Sequence, residues 1–121
     1  MKPEGQEMPD RGAIIRINLN PTQGREQTGE ARPCLVLSHT KFNQARRGIV
    51  IVSPITSTIK PDVSTLIPIP DHYRITGSVI AEQVRTIDLN SRWWRDTGEV
   101  LPEGFVDQVV MVLNVIINQK I

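Results

Sequence analysis

The sequence predicts a mainly β domain of the α+β class, in which several short strands precede one C-terminal helix. Short runs of apolar and β-branched residues recur between segments rich in Gly, Pro, Asn and Asp, which is typical of strands joined by turns. The C-terminal segment instead repeats apolar side chains at helical spacing. The length of 121 residues fits one compact domain, and the sequence contains no internal repeat or low-complexity segment.

The first predicted strand is 14–19, and a long polar loop follows it. Alternating apolar residues would line one face of this strand: Ile15, Ile17 and Leu19. Asn20-Pro21 ends the strand. Residues 22–31 contain two glycines and almost no apolar side chain. We therefore expect a loop there, and structureless loops of this length are often functional.

The middle of the sequence predicts two more strands around a short helical turn. Pro33 leads into a strand at 35–38, and 39–44 is predicted to form the helical turn. Arg46-Arg47-Gly48 is typical of a tight turn. The continuous Ile and Val run at 49–52 predicts a strand that is buried on both faces.

Two further strands are predicted after an exposed loop. Residues 56–64 are mostly polar, which indicates a second loop at the surface. The short strand 65–69 contains Pro68, which lacks a backbone N–H and therefore favours the edge of a sheet. After a turn region, residues 78–87 supply one more strand with a bend.

The C-terminal segment predicts an amphipathic helix. Pro102-Glu103 provides a proline and an acid, both of which are favoured in the first turn of a helix. The predicted buried face comprises Phe105, Val106, Val109, Val110, Leu113, Ile116 and Ile117. The opposite polar stripe comprises Asp107, Asn114 and Asn118. Because many of these residues are β-branched and lower the helix propensity, packing against the sheet must stabilise the helix.

Charge and cysteine content limit the classes of function. The net charge is only +1, so the chain lacks a global basic field, and nucleic-acid binding would depend on local clusters of arginine. The single cysteine, Cys34, cannot form an internal disulfide, which indicates a cytoplasmic protein. Since Cys34 lies in an apolar run, we interpret it as a small buried hydrophobe rather than a nucleophile.

The chain termini and hydropathy give no sign of membrane insertion. Residues 1–10 are polar and lack the apolar core of a signal peptide, so we predict a flexible N-terminal tail followed by a single domain at 11–121. No apolar run approaches the roughly 20 residues of a membrane helix. We therefore expect no membrane partner.

The common catalytic signatures are absent from the sequence. It contains no nucleophile elbow, no Walker loop and no metalloprotease motif. His39 and His72 are far apart and have no cysteine or carboxylate at ligand spacing. The sequence therefore predicts no metal and no other cofactor, and it disfavours a ribonuclease that uses a histidine pair.

Two polar residues at strand ends form a candidate phosphate site. Arg32 precedes the second strand, and Thr56 follows the run that begins at Ile49. A guanidinium offers two parallel donors to phosphate oxygens, and a hydroxyl can donate to a third oxygen. By themselves these residues are weak evidence, because arginine before proline is more often a surface residue and threonine after a strand more often belongs to a turn.

An ordered set of motifs resembles the MazF/PemK family of toxins from about Gly12 to the C-terminal helix. Each motif is weakly specific alone, but their order and spacing are strongly specific. The matching segments are Gly12 to Thr22, Gly24 to Gln27, Arg32 to Ser38, Asn43-Gln44, Pro54 to Ser57 and Gly77 to Asp88.

The resemblance implies an SH3-like, partly open barrel of the CcdB–PemK type with a C-terminal helix, forming a homodimer that binds RNA along the dimer interface. It implies a type II toxin that cuts single-stranded RNA, including mRNA, at specific sequences without a metal and so inhibits translation and growth. The implied partner is a cognate antitoxin with an acidic C-terminal tail. By the same resemblance, the catalytic pair is Arg32 and Thr56. The implied RNA-binding residues are Asn20, Thr22, Glu26, Gln27, Ser57, Lys60, Gln83 and Arg85.

Some residues depart from the family pattern. The first loop is one residue longer before Arg32, and Asn18 and Asn20 replace acids found in many members. Trp93-Trp94 matches no family motif. On a strand these two residues would point to opposite faces. We favour packing for both, and the alternative is that one of them stacks on an RNA base.

Other functions remain as alternatives. A CcdB-like gyrase-poisoning toxin would share the fold but bind a protein target, and it would place a tryptophan near the C-terminus, where this sequence has none. A noncatalytic SH3-like binding module is disfavoured because both Arg32 and Thr56 are present. Asn43 could cap the predicted helical turn or face a nucleotide, and the sequence does not decide between these roles.

Overall fold

The computed structural model describes residues 7–19, 31–60 and 62–119, which form one antiparallel sheet with a C-terminal helix. The strands are β1 (Ala13–Asn18), β2 (Ala31–Val36), β3 (Ile49–Thr56), β4 (Leu66–Pro68), β5 (Ser78–Ile80), β6 (Arg85–Asp88) and β7 (Trp94–Val100). The helices are α1 (Thr40–Ala45) and α2 (Glu103–Asn118). Two short 3₁₀ turns lie at Ala81–Gln83 and Leu89–Ser91.

The sheet has the order β4-β5-β3-β2-β1-β7, and β6 also pairs with β3. One edge of β3 pairs with β2, and its other edge pairs first with β6 and then with β5. The change of partner divides the sheet into two parts that share β3. Since β4 and β7 are the two ends of this order, the barrel is not closed. The predicted mainly β fold with a C-terminal helix is confirmed.

Strand alternation separates the buried side chains into two cores. One core lies between the sheet and α2, and we call it the helix-side core; it includes Ile14, Leu35, Ile55, Val79, Val106 and Val109. The other lies on the opposite face of β1 and β2, and we call it the Trp94 core; it includes Ile15, Ile17, Cys34, Val52, Ile87 and Trp94. The predicted strand at 14–19 is confirmed as β1, and its alternating residues Ile15 and Ile17 are fully buried.

Several predictions for the central strands are confirmed. β4 lies at the edge of the sheet, as Pro68 indicated. The helical turn forms α1, and the side chain of His39 caps it by accepting a hydrogen bond from the backbone N–H of Lys41. The tight turn after α1 has left-handed backbone angles at Arg47 (φ 52°) and Gly48 (φ 111°).

Two predictions for the strands need correction. The segment 78–87 is not one bent strand but two strands, β5 and β6, because the turn Ala81–Gln83 interrupts it and each strand pairs with a different half of β3. The run 49–52 is not buried on both faces. Val50 and Val52 are fully buried, whereas Ile49 and Ile51 face the side that no other layer completely covers.

The sequence did not predict β7, which pairs with β1 and forms an edge of the sheet. Its residues include Arg95, Asp96, Gly98 and Glu99, and most of them are exposed or half-buried. An edge strand with only one paired neighbour needs no regular alternation of apolar residues, so the hydrophobic pattern gives no signal.

The helix α2 is amphipathic only in its first half. Phe105, Val106 and Val109 are buried against the sheet, whereas Val110, Ile116 and Ile117 of the predicted buried face are exposed. Leu113 and Val112 pack only partly against the helix-side core, and no residue of the helix after Val109 is buried, so the apolar repeat in the sequence extends beyond the part of α2 that packs on the sheet. Within the described residues no helix is both long and apolar enough to span a membrane.

Of the predicted N-terminal tail, residues 1–6 lie outside the described part of the chain. Met8 packs against the Trp94 core, and Pro9 is buried. The carbonyl of Pro9 accepts a hydrogen bond from Asn43 Nδ2 at 2.8 Å, and Asn43 is fully buried. Ser38 Oγ is within 2.5 Å of Asn43 Oδ1. These contacts decide the role of Asn43, which joins the start of the domain to α1.

Candidate functional site

Arg32 lies near the start of β2, on the face of the sheet that carries the Trp94 core. It pairs with Ile17 of β1 and precedes the fully buried Cys34 by two residues, so its side chain lies on the same face as both. The guanidinium is exposed, and its Nη2 donates a hydrogen bond to the carbonyl of Ile55 at 3.3 Å. This bond anchors the side chain and leaves the other guanidinium donors for a ligand.

The pairing of β2 with β3 brings Arg32 to Thr56. The register joins Cys34 to Pro54, and continuing it by two residues places Arg32 opposite Thr56. Residues in such positions have Cβ atoms about 4.5–5.5 Å apart. The sheet register therefore juxtaposes the guanidinium of Arg32 and the hydroxyl of Thr56, which are far apart in the sequence.

The hydroxyl of Thr56 is oriented by its own backbone turn. Thr56 Oγ1 accepts a hydrogen bond from the backbone N–H of Thr58 at 3.2 Å. A hydroxyl that accepts one hydrogen bond still has its hydrogen to donate. Because Thr56 is only half-buried at the end of β3, this hydrogen can reach an oxygen of a bound phosphate.

Gly77 fixes the backbone at Thr56 through a close approach. Its φ is +120°, a left-handed conformation that favours glycine. A Cβ atom at Gly77 would lie 1.9 Å from the carbonyl oxygen of Thr56. Since Ser78 pairs directly with Thr56, the glycine permits β5 to pack against the end of β3 that carries the hydroxyl.

Arg85 joins the same face as Arg32. It is the first residue of β6 and pairs with Val52 of the Trp94 core. Both arginines act electrostatically on the thiol of Cys34. Burial raises the pKa of Cys34 to about 12, and the positive charges of Arg32 and Arg85 partly oppose this rise. The thiol is therefore protonated at neutral pH and serves as a core residue, as its apolar run indicated.

Arg92 is a third arginine of this face, and no sequence motif identified it. Its Nη1 donates to the carbonyl of Asn18 at 3.1 Å. Burial lowers the pKa of Arg92, the charge of Arg85 lowers it further, and the carboxylate of Asp88 acts in the opposite direction. Only the tertiary structure brings Arg92 close to Arg85. Together Arg32, Arg85 and Arg92 form what we call the groove arginines.

In the described parts of the chain, no hydrogen bond joins the remaining predicted RNA-binding residues to Arg32 or Thr56. Ser57 and Lys60 are exposed in the segment after β3, and Gln83 is exposed at the end of the turn Ala81–Gln83. Asn20, Thr22, Glu26 and Gln27 lie outside the described residues. The structure thus brings Arg32 to the end of β3 that carries Thr56 and sets Arg85 near both Cys34 and Arg92. Among the residues that it describes, it shows no hydrogen bond or ion pair between these residues and the side chains of Ser57, Lys60 or Gln83.

The two tryptophans lie at the start of β7, with Trp93 just before the strand and Trp94 as its first residue. Trp94 is 2 % exposed and packs in the Trp94 core, which agrees with its interpretation as a packing residue. Trp93 is half-buried on the face of the sheet opposite the Trp94 core, and the guanidinium of Arg95 lies 5.9 Å from its ring centroid.

The histidines lie apart in the structure. His39 caps α1, and the ring of His72 contacts that of Tyr73 at 4.5 Å. Across residues 7–19, 31–60 and 62–119, no three side chains of His, Cys, Asp or Glu lie close enough together to hold a metal ion.

The groove arginines and Thr56 can bind an anion and stabilise additional negative charge on it. Arg32 offers charged donors held by a backbone carbonyl, and Thr56 offers a neutral donor from the facing strand. Fixed donors of this kind are most effective when charge develops on the bound group during a reaction.

Comparisons with known proteins agree with this fold. The sequence profile described as "PemK-like, MazF-like toxin of type II toxin-antitoxin system" matches residues 10–117. The chain is 32 % identical over 112 residues to the endoribonuclease toxin ChpB of Escherichia coli (strain K12), covering 90 % of this chain and 94 % of that protein. It is also 32 % identical over 112 residues to the endoribonuclease PemK of Escherichia coli, covering 90 % of this chain and 82 % of that protein.

Solved structures give the same result. MazF (Form-I) from Deinococcus radiodurans superposes with a TM-score of 0.78 at 29 % identity, covering 94 % of this chain and 100 % of that one. A chain of MazE-MazF (Form-II) from the same organism superposes with a TM-score of 0.77 at 25 % identity, covering 95 % and 100 %. The family profile extends over most of the sequence and these relatives over most of its length, so the chain belongs to the PemK-like, MazF-like family of type II toxin-antitoxin toxins.

Proposed function

We propose that this protein is an endoribonuclease toxin that cuts single-stranded RNA at specific sequences, without a metal, and thereby inhibits translation and growth. The observation that carries the proposal is the pairing of β2 with β3. Its register, continued by two residues from the pair Cys34–Pro54, sets Arg32 opposite Thr56, and Arg32 donates a hydrogen bond to the carbonyl of the adjacent Ile55. The names of the relatives support it, because ChpB, PemK and MazF are all described as endoribonucleases. The substrate, mRNA, also assigns the protein to the cytoplasm.

In the proposed reaction, the ribose 2′-oxygen attacks the adjacent phosphorus. The O2′–P bond forms, the P–O5′ bond breaks, the 2′-hydroxyl loses its proton to solvent, and the departing 5′-oxygen gains a proton from solvent. The products are a 2′,3′-cyclic phosphate and a 5′-hydroxyl. Arg32 binds the nonbridging oxygens, where negative charge increases in the transition state, and Thr56 donates to one of them. We assign no base role to Arg32, since a guanidinium offers hydrogen-bond donors and no acceptor.

The residues flanking this pair are proposed to hold the RNA. Arg85 lies on the same face, and Ser57, Lys60 and Gln83 are exposed in the segments next to β3 and β6. From the family resemblance we extend this role to Asn20, Thr22, Glu26 and Gln27.

The central test is to incubate the purified protein with a long RNA in EDTA and to map both ends of every fragment. We expect cuts at one short sequence, with 2′,3′-cyclic phosphate and 5′-hydroxyl ends. Intact RNA, or cleavage that requires added Mg²⁺, would contradict the proposal. A parallel DNA gyrase assay tests the CcdB-like alternative, which the endoribonuclease names of the relatives do not favour.

We also propose that the protein is a homodimer, with the second half of α2 in the interface. Large apolar side chains are exposed on these turns, including Met111 at 65 %, Val115 at 54 % and Ile117 at 74 %. Val112 and Leu113 pack partly against the helix-side core, and Asn114 and Asn118 form a polar stripe. Groups of exposed apolar side chains such as this one mark interaction surfaces. A second copy of the chain supplies an apolar surface of the same kind.

Sedimentation at micromolar concentration checks the dimer. We expect the wild type to sediment as a dimer and Val115→Glu to shift it to a monomer, because the charge would be desolvated in the interface. Gln108→Glu is the matched control, since it adds the same charge at an exposed position in the first half of α2. A wild-type monomer, or an equal shift with both variants, would count against this interface.

The proposed regulatory partner is an antitoxin with an acidic C-terminal tail. The groove arginines favour such a tail for the same electrostatic reason that they favour an RNA backbone. The structures of relatives that contain both MazE and MazF support a protein partner of this kind. If co-expression with the neighbouring small reading frame leaves RNA cleavage and growth arrest unchanged, that partner is not the antitoxin.

A further inference from the structure

The outer face of β1 and β7 carries a second group of arginines, on the opposite side of the sheet from the groove arginines. Arg16 and Arg95 are directly paired in the β1–β7 register, and both are exposed. Their strand neighbours Ile15, Ile17 and Trp94 point into the Trp94 core. Alternation along the strands therefore sends Arg16 and Arg95 outward together.

This pairing of like charges has no evident structural purpose. Opposite positions on neighbouring strands bring Cβ atoms close together, and like charges there are destabilising. In the described residues neither Arg16 nor Arg95 forms an ion pair. An anionic ligand would relieve the repulsion between them.

The nearby carboxylates are already engaged by other donors. Glu99 accepts hydrogen bonds from the backbone N–H groups of Arg74 and Ile75, at 2.9 and 3.0 Å, and lies 3.7 Å from Arg74 Nε. Asp96 accepts a hydrogen bond from the backbone N–H of Gly98 at 2.9 Å. Their charges reduce the local positive potential, but their hydrogen-bonding capacity is directed mainly to the backbone.

The shape and chemistry of this face suit a nucleotide better than a peptide carboxylate. A cavity of about 410 Å³ is lined by Arg16, Arg74 and Arg95 together with Ile75, Thr97 and the two carboxylates Asp96 and Glu99, and Trp93 stands outside this lining. The guanidinium of Arg95 lies 5.9 Å from the ring centroid of Trp93. Bases in single-stranded RNA stack on aromatic rings and on guanidinium planes, while the phosphates pair with arginines. An acidic peptide would use the charges but not the ring.

The outer face is also continuous with the groove. Arg92 belongs to the groove arginines, and the next residue, Trp93, lies on the outer face. Since β7 is the last strand in the sheet order, no further strand separates the two faces at this edge.

We propose that Arg16, Trp93 and Arg95 form a second binding site for single-stranded RNA, which holds nucleotides that flank the cleaved bond after the strand passes around the edge of β7. The proposal rests on the proposed RNA-cleaving function, and it adds a contact that selects longer substrates. It requires that the outer site contribute to affinity and not to the chemical step.

The test compares two fluorescent RNA oligonucleotides built on the mapped cleavage sequence. The short one covers the cut site alone, and the long one extends it by about ten nucleotides on each side. Binding is measured with the Arg32→Ala protein, so that the RNA stays intact. We expect the long RNA to bind more tightly than the short one, and Arg16→Ala with Arg95→Ala to weaken binding of the long RNA about tenfold. Loss of two phosphate contacts should lower the slope of log Kd against log salt by about 1.4.

The tryptophan is tested separately. Trp93→Leu should weaken binding of the long RNA, and Trp93→Phe, which keeps an aromatic ring, should retain most of the affinity. Thermal unfolding checks the fold of each variant. The matched control is the double variant Lys41→Ala with Arg46→Ala, which removes two exposed positive charges in and beside α1.

The outcomes separate this site from the proposed function. In protein that retains Arg32, the double variant Arg16→Ala with Arg95→Ala should cleave the short RNA at an unchanged rate when that RNA is present at a saturating concentration. Equal binding of long RNA by this variant and its parent, or an equal loss with the α1 control, would overturn the outer site while leaving cleavage intact. Loss of antitoxin binding without loss of RNA binding would also overturn it, in favour of an acidic peptide. Failure of the wild type to cut any RNA would instead overturn the proposed function.

Discussion

The two groups of arginines lie on opposite faces of one sheet and are held in different ways. Among the groove arginines, Arg32 and Arg92 each donate to a backbone carbonyl, that of Ile55 and that of Asn18. On the outer face, Arg16 and Arg95 are exposed, and within the described residues the guanidinium of Arg95 forms no ion pair but lies 5.9 Å from the ring centroid of Trp93. Ile55 and Asn18 belong to strands of the sheet, so hydrogen bonds to their carbonyls hold the two arginine side chains in position.

This difference predicts that the groove arginines affect the cleavage rate, whereas the arginines of the outer face affect the affinity for RNA. Stabilising a transition state requires donors that are already in position, because a donor that must reorganise during the reaction loses much of its advantage. Binding a flexible strand requires charge and contact area, which exposed side chains can provide without being fixed beforehand. We therefore expect substitutions in the groove to change the rate and substitutions on the outer face to change affinity.

The largest expected effect is that of Arg32→Ala. Removing a donor aimed at the developing charge should lower the cleavage rate about 10²–10³-fold, or roughly 2.7–4 kcal/mol. Arg32→Lys should not restore activity, because lysine keeps the charge but lacks the planar fork. Thr56→Ala should impair cleavage as well. Single-turnover cleavage of a fluorescent oligonucleotide measures the rates, with circular dichroism as the fold control. A folded Arg32→Ala protein with near wild-type activity would remove Arg32 from the active site.

A smaller effect is expected from Gly77→Ala, which would disturb the backbone at Thr56. A Cβ there would overlap the Thr56 carbonyl at 1.9 Å in addition to the backbone strain at φ +120°, so we expect a loss of about 2–4 kcal/mol in unfolding free energy. Gly98→Ala is the matched control. Its φ is +85°, but a Cβ would meet no atom within 4 Å, so it should cost only about 1 kcal/mol.

Denaturant unfolding measures both glycine variants, and cleavage assays below the unfolding midpoint measure their activity. Gly77→Ala should be impaired in cleavage even where it is fully folded, whereas Gly98→Ala should retain its rate. Equal stability and equal activity of the two variants would show that the close approach to Thr56 is unimportant.

The smallest effect concerns Cys34 beneath the groove arginines. Its pKa of about 12, against an ordinary value of 9.0, lowers the thiolate population at pH 8 by about a thousandfold. We expect iodoacetamide to label the unfolded chain and to leave the native thiol essentially unmodified. Because the folded pKa is raised, this thiol favours the folded state below pH 9, and that contribution should decline as the pH rises from about 9 towards about 12. Rapid labelling of the native protein at pH 8 would show instead that the Cys34 thiol is accessible to solvent in the folded state.

The sequence predicted those elements whose own pattern carries the signal. Alternation in β1, the edge position of Pro68 and the helical spacing from Phe105 each follow from a short segment. It did not predict β7, because an edge strand with Arg95, Asp96 and Gly98 has no hydrophobic period. It also joined β5 and β6 into one strand, since the change of pairing partner along β3 leaves no trace in local composition.

The candidate site shows the same division. Arg32 and Thr56 could be proposed from the sequence because they occur in motifs of a recognisable family, in order and at the expected spacing. Arg92 could not, since it lies in no motif and reaches Arg85 and Asn18 only through the packing of β6 and the segment before β7.

By itself, the sequence determined most of the strands, the C-terminal helix and the family, and it proposed the residue types of the candidate site, because periodicity and motif order are local properties of the chain. Only the tertiary structure decided which arginines share a face. That choice depends on the register between strands distant in sequence, which sets Arg32 against Thr56 on one face and Arg16 against Arg95 on the other. A shift of one residue in register would turn every side chain of a strand to the opposite face, so the chemistry of each face depends on the pairing as much as on the residues.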